Sequence, residues 1–312
     1  MKTVRIVSTF AFAAIAAFPS ATFAWGSSGH RIVAAIAWKE LGATTRKRII
    51  AILKSAPANS EIAKLRPSSG ADSVRNEQWF IAVSTWPDLV RDPARLSHTY
   101  HRRVWHYADH FWRDDDGPAH EVKGPPPKNA VERLTVLVAD LRKPGSTEFP
   151  RAVELAWVIH LMGDIHQPLH NASRISKGQL EGDGGGNGMA LTNSLDLHTF
   201  WDHIPDEVFE SDPSNKRTKK ESAAFEGTPE YVEMWRATIT KTFGPRVVGK
   251  SQSVDAFERW SLEGAKIAED SVYRGAKAKD AAYQARVAAM SNRAMALAGH
   301  RLAGLLTSVF SE

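Results

Sequence analysis

"HLMGDIHQPLH", residues 160–170, closes an apolar run that begins at Arg151. Over "RAVELAWVIHLMGDIH", 151–166, apolar residues recur at helical spacing. The residue before Pro168 is pushed out of helical backbone, so the helix must stop there. His160 and Asp164 lie four apart and share one helix face. His166 sits about 240° round the helix from His160, off that face. His170 follows just after the proline. "LHTFWD" repeats the spacing with His198 and Asp202. Such a pair can aim an imidazole and a carboxylate at one point, which suits Zn²⁺ with its N and O ligands. One pair alone would read as a surface ion pair or a cap. Two pairs and a third histidine, in a chain with no cysteine, point to a metal site built from His and carboxylate.

Outward from this stretch, the rest of the chain also reads helical. "GHRIVAAIAWKEL" carries Ile32, Val33, Ile36, Ala37 and Leu41 on one stripe, and "NAVERLTVLVADLRK", 129–143, repeats the pattern. Two long amphipathic segments, starting "SVDAFERW" and "DAAYQARV", end the chain. Strict alternation is rare. The expected fold is mainly α, one domain packed around a metal cluster, with at most a small β-hairpin. "GPPPK", 124–128, reads as a rigid connector, "SKGQLEGDGGGNG", 176–188, as a Gly-rich loop, and "SDPSNKRTKKES", 211–222, as a charged, mobile surface segment. No internal repeat and no clear linker divides the chain.

Residues 1–24 read as a secretory signal: Lys2 and Arg5, the apolar run "IVSTFAFAAIAAF", then the small-residue exit "SATFA". Cutting after Ala24 leaves one domain, 25–312, beginning at Trp25. The product would be exported, periplasmic or secreted, without membrane insertion. Lacking cysteine, it must be held by packing or metal ions rather than disulfides. The formal charge of +5 falls to +3 without Lys2 and Arg5. That permits a polyanionic substrate without arguing for one.

"STWPD" adds Asp88 and "VWHYAD" adds His106. Alone, the first would be a helix cap and the second a histidine satisfied in the core. Together with the longer motifs they form an ordered set: Trp25, His30, W-x-D, W-H-x-x-D, H-x-x-x-D-x-x-Q-P-L-H, G-G-N and L-H-x-x-W-D. In this set the chain resembles the zinc-dependent, single-strand-specific nucleases of the S-one/P-one type, across the whole length after residue 24. The resemblance implies three zinc ions. Asp88, His106, His160 and Asp164 would hold the first. His170, His198 and Asp202 would hold the second. Trp25, His30 and Asp164 would hold the third, with Asp164 shared and Trp25 ligating through its α-amino nitrogen once the signal is removed. It also implies hydrolysis of single-stranded RNA and DNA to 5′-phosphorylated products, by a zinc-activated water and with a further zinc at the leaving 3′ oxygen. Removal of phosphate from 3′-nucleotides is implied as well, and we expect a monomer.

Asp88 and Asp164 are then catalytic as well as ligating. Arg91 stands where relatives carry a basic residue and would bind a phosphate oxygen; otherwise it is a solvated charge. Tyr107 would stack on a base, or is a core aromatic. Asp109 would accept from a base edge, and Asn187 would contribute from the Gly-rich loop. Stacking requires an unstacked base, which favours single strands. The alternative function is a zinc phospholipase C acting on phospholipid headgroups; Tyr107, Asp109 and Asn187 favour the nuclease. A non-catalytic zinc-binding protein would need only one closed site. His98, His101, His110, His120, His203 and His300 have no place in the implied site, though His110 is near enough in sequence to back up a ligand.

Overall fold

The computed structural model describes residues 25–143, 149–212, 214–248, 256–278 and 280–310. The expected signal segment 1–24 and its cleavage lie outside the described residues. The first half of the chain forms α1 (Ser27–Glu40), α2 (Ala43–Lys54), α3 (Asp72–Val83) and the single turn α4 (Trp86–Leu89). Strands β1 (His110–Arg113) and β2 (His120–Lys123) follow, then α5 (Ala130–Arg142) and α6 (Arg151–Asp164). Next come β3 (Ala172–Arg174), β4 (Ala190–Thr192), β5 (Leu195–Asp196) and α7 (Leu197–Asp202). The chain ends with α8 (Ile204–Ser211), α9 (Lys219–Phe225), α10 (Pro229–Thr242), α11 (Phe257–Ile267) and α12 (Ala281–Phe310).

The mainly α expectation is met, and α1, α5, α6, α11 and α12 form where the apolar spacing places them. Every residue of α6 from Ala152 to Asp164 is buried. A helix apolar on all sides belongs in the middle of a core. Accordingly α1, α4, α5 and α12 pack around it. Gly163 makes one of these contacts possible: a Cβ there would stand 2.6 Å from His30 Nδ1. Only glycine lets α1 bring His30 that close to the C-terminal end of α6. Local chemistry also sets helix starts. Asn129 accepts from the Glu132 N–H to open α5, and Asp196 accepts from the Thr199 N–H to open α7.

Strand content is small, as expected, but it forms two sheets rather than one hairpin. The first has the order β2-β1-β3, with β1 antiparallel to β2 and parallel to β3. The second is the β4–β5 pair. The parallel pairing follows from contacts already made upstream. Ala108 N–H donates to His170 O and His110 N–H to Asn171 O, both at 2.8 Å. The chain after His106 is therefore zipped to the chain after His170. Part of the charged surface stretch 211–222 opens α9. Thr218 and Glu221 form a reciprocal capping box there. Among the described residues, no helix is long and apolar enough to cross a membrane.

His300 ties three helices. Its Nδ1 lies 2.6 Å from Glu40 Oε1 at the end of α1, and its Nε2 lies 2.9 Å from Phe243 O after α10. Both partners are acceptors, so both ring nitrogens carry protons. Burial works against that charge. The Glu40 carboxylate and the Phe243 carbonyl outweigh it and raise the His300 pKa above its ordinary value. A raised folded-state pKa gives stability that is present in full below the unfolded value of about 6.5 and is lost as pH rises through the folded one. His300→Gln should therefore lower Tm most below about pH 6.5 and progressively less as pH rises above it. Thermal melts of both proteins across that range check it.

Candidate metal centre

The residues singled out in the sequence converge at the C-terminal end of α6. His160 and Asp164 are on α6 itself, and His30 comes from α1. Asp88 comes from α4, and His106 from the 3₁₀ turn Arg103–His106. His170 ends the 3₁₀ turn Pro168–His170, while His198 and Asp202 sit on α7. All of these side chains are buried. Three groups have ligand atoms within 4.8 Å of one another: His30 with His160 and Asp164, Asp88 with His106 and His160, and His170 with His198 and Asp202. Two ligands on one tetrahedral zinc are separated by roughly 3.4 Å, so these groups could bind metal.

Asp164 is the hub. One carboxylate oxygen lies 3.1 Å from His106 Nδ1 and 3.3 Å from His160 Nε2. The other lies 3.3 Å from His30 Nε2 and 3.9 Å from His170 Nδ1. The His30 ring stacks on His160, with centroids 3.9 Å apart and planes 16° from parallel. Asp88 Oδ1 lies 3.9 Å from His160 Nε2.

Hydrogen bonds to the backbone decide which nitrogens face inward. His160 Nδ1 donates to Ser84 O, His170 Nδ1 to His106 O and His198 Nδ1 to Gly185 O, each at 2.7 Å. A carbonyl only accepts, so each Nδ1 carries a proton. In the neutral ring, each Nε2 then presents a lone pair to the cluster. His106 Nε2, His170 Nε2, His198 Nε2 and both nitrogens of His30 are buried without a hydrogen-bond partner, as is Asp164 Oδ1. Acceptors aimed at acceptors in a dry pocket are the arrangement a cation relieves. The donor set therefore fits a divalent metal of the zinc type.

Protonation follows the same logic. Burial pushes His170 down to about 3 and His198 to about 4, and it lowers His30 and takes His106 well below its ordinary value. These rings stay neutral and fit to ligate. Burial would lower His160 too, but Asp164 and Asp88 outweigh it and its pKa is raised. Burial would raise Asp164, but His160, His106 and His30 hold it well below the usual carboxylate range. Asp202 is pushed well above that range by burial, with the negative charges of Asp88 and Asp164 adding to it.

Several supporting residues were not anticipated. Gln167 Nε2 donates to Asp202 Oδ1 at 2.8 Å, while its Oε1 accepts from the Leu169 N–H. The only sequence signal for it was its place inside the long motif. Asp183 braces the Gly-rich loop, accepting from the Arg174 N–H at 2.9 Å and the Tyr273 hydroxyl at 3.0 Å. Gly185 lies in left-handed backbone (φ 67°), and a Cβ there would fall 2.1 Å from Leu169 O. This contact seats the Gly185 carbonyl under His198. The long loop after His170 is thus pinned to the cluster.

The remaining residues fall around this core. Trp25 is fully buried at the head of α1, and the next amide, Gly26 N–H, donates to Asp202 O at 2.7 Å. Arg91 lies 3.0 Å from Asp88 Oδ1. Tyr107 is half-buried and outside both apolar clusters. Its ring stacks on His170, with centroids 4.7 Å apart. Asp109 is held in left-handed backbone (φ 49°), a strain of about 1–2 kcal/mol. Burial, with Asp183 nearby, pushes its carboxyl up to about 7. Asn187 turns its amide onto Gly184 O at 2.5 Å, inside its own loop. His110 does not back up a ligand: its ring meets Ser261 at 3.0 Å. His166 bonds Met162 O and the Arg301 guanidinium, away from the cluster, as its helix angle required.

Residues 25–311 match the family model described as S1/P1 Nuclease. The chain is 26% identical over 297 residues to Endonuclease 2 of Arabidopsis thaliana, covering 92% of this chain and 90% of that protein. It is 27% identical over 211 residues to Nuclease S1 of Aspergillus oryzae, covering 63% of this chain and 60% of that protein. Gly185→Ala should lower stability by about 2 kcal/mol or more, or roughly 4–8 °C in Tm, and reduce the metal bound per chain. Calorimetry and elemental analysis of the purified variant check both outcomes.

Proposed function

The chain belongs to the S1/P1 nuclease family and is an endonuclease, and from that premise we propose an exported, zinc-dependent enzyme of single-stranded RNA and DNA. It yields 5′-phosphorylated products and also hydrolyses 3′-nucleotides. The observation that carries the zinc reading is the buried Asp164 carboxylate, ringed by His30, His106 and His160. Export rests on the charge and apolar pattern of residues 1–24. We expect the working protein to be residues 25–312, as a monomer.

Three zinc ions would be held as the resemblance implies: by Asp88, His106, His160 and Asp164; by His170, His198 and Asp202; and by Trp25, His30 and Asp164. His160 is within reach of two of the observed groups. When bound, zinc supplies Lewis-acid polarisation of a phosphodiester and acidifies nearby water. The chain's own residues do the positioning. Asp164 fixes three imidazoles at once. Asp88 fixes Arg91, whose guanidinium can donate to a phosphate oxygen and offset developing negative charge. Tyr107, stacked on His170, offers a face to an unpaired base, and a base inside a duplex cannot reach it. With its pKa near 7, the Asp109 carboxyl can donate or accept at a base edge. Asn187 stands on the same pinned loop.

Metal-loaded enzyme given a single-stranded oligonucleotide should release 5′-phosphorylated fragments by mass spectrometry, and chelator should stop this. Release of phosphocholine from phosphatidylcholine with the oligonucleotide intact would overturn the reading in favour of a phospholipase. Asp164→Asn should lose roughly 100-fold or more in activity together with bound metal. A chain with one extra residue before Trp25 should bind less metal than one starting at Trp25, by elemental analysis.

A further inference from the structure

A cavity of about 500 Å³ lies between α11 and α12, and none of the residues gathered at the metal centre lines it. It exists because α11 packs on the turn Pro168–His170 and on α5, not along α12. Volumes of roughly 300–1,000 Å³ are typical of small-molecule sites. The walls are mostly aliphatic. Ile267 comes from α11, and Met290, Ala294 and Leu297 come from one face of α12, at helical spacing. Met290 is unbranched and flexible, a side chain that adapts to a guest. Trp260 also lines the cavity, but it is 2% exposed and the Arg301 guanidinium covers its ring at 4.8 Å. Among the described residues, the lining therefore offers no open aromatic face. Asp270 and Ser271 reach it from the π-helical turn Ala268–Val272, which prolongs α11. Such turns are rare and sit frequently at functional sites.

Five charged side chains line the cavity: Glu263, Lys266, Asp270, Arg293 and Arg301. Four of them are matched. Arg301 donates to Glu263 Oε2 at 2.8 Å, and Lys266 Nζ lies 2.9 Å from Asp270 Oδ2. His166, also in the lining, is neutral: its Nδ1 donates to Met162 O and its Nε2 accepts from Arg301. Arg293 is exposed, one residue before Ala294, and no carboxylate of a described residue pairs with it. The lining is left with one unmatched positive charge at its exposed edge. A bare anion would leave the aliphatic walls against water, and an uncharged chain would leave Arg293 unmatched.

We propose that this cavity binds a medium-chain aliphatic carboxylate, its chain along Ile267, Met290, Ala294 and Leu297 and its carboxylate on Arg293. Gly264, in the lining, lies against Asn171, the residue after His170; a Cβ there would stand 2.6 Å from Asn171 Nδ2. The cavity and the metal centre thus share a wall and remain separate sites.

The test is calorimetric titration of the metal-loaded protein with octanoate, butanoate and 1-octanol. Octanoate should bind once per chain. A fully buried CH₂ is worth about fourfold in Kd, so butanoate should bind at least roughly tenfold more weakly. Arg293→Glu, at an exposed position, should weaken octanoate at least about fivefold and leave 1-octanol within about twofold. Met290→Trp, which fills the cavity, should abolish binding of both. Octanoate that does not bind at about 10 mM, or binds no better than butanoate, would overturn the proposal. So would binding unchanged in both variants, which would place the carboxylate elsewhere, at the metal centre included. Loss with Met290→Trp but not with Arg293→Glu would overturn the assignment of a carboxylate.

Discussion

A carboxylate with no exposed surface, Asp164, sits at the end of a helix with no solvent-facing side past its first residue. Burial by itself would leave that carboxyl protonated. Three imidazoles, from α1, the turn before β1 and α6 itself, keep it ionised. Removing any one leaves a buried charge less compensated, at a cost of several kcal/mol. The packing of α1 against α6, the course of the chain into β1, and the end of α6 before Pro168 are all bound by this requirement. Fold and centre are in that sense one energetic problem, and a metal bound there would contribute to folding.

Backbone carbonyls complete the arrangement. Ser84, His106 and Gly185 each hold one imidazole by its Nδ1–H and turn the other nitrogen inward. Two of these carbonyls depend on long-range pairing. The His106 carbonyl is placed by the zipper between the chains leaving His106 and His170, and Gly185 by its contact with Leu169. The short β1–β3 pairing makes the segments that follow His106 and His170 share one register.

Around the centre the chain stores strain and gathers charge. Asp109 sits in left-handed backbone near Asp183, whose other partners are Tyr273 and the Arg174 amide. Tyr107 lies on the His170 ring rather than in either apolar cluster. Beyond them, arginines crowd the aromatic wall behind His106. A protein selected for stability alone would relieve such features. They lie beside the groups proposed to act on the phosphodiester.

The sequence alone determined the helical class and singled out the His and Asp residues that the fold brings into groups able to hold a metal. Helical spacing is a local property, and His–x–x–x–Asp pairs need only one turn of helix to meet. It also excluded His166, by rotation about the helix axis. Only the tertiary structure decided that His160 serves two groups, that Gln167 orients Asp202, and that His110 turns to Ser261. It also made two small sheets where one hairpin was expected, and a capped helix start within 211–222. The physical reason is the same in each case. Carbonyl partners, the approach distance at Gly163 and Gly185, and the register between β1 and β3 depend on residues far apart in the chain, and no local period encodes them.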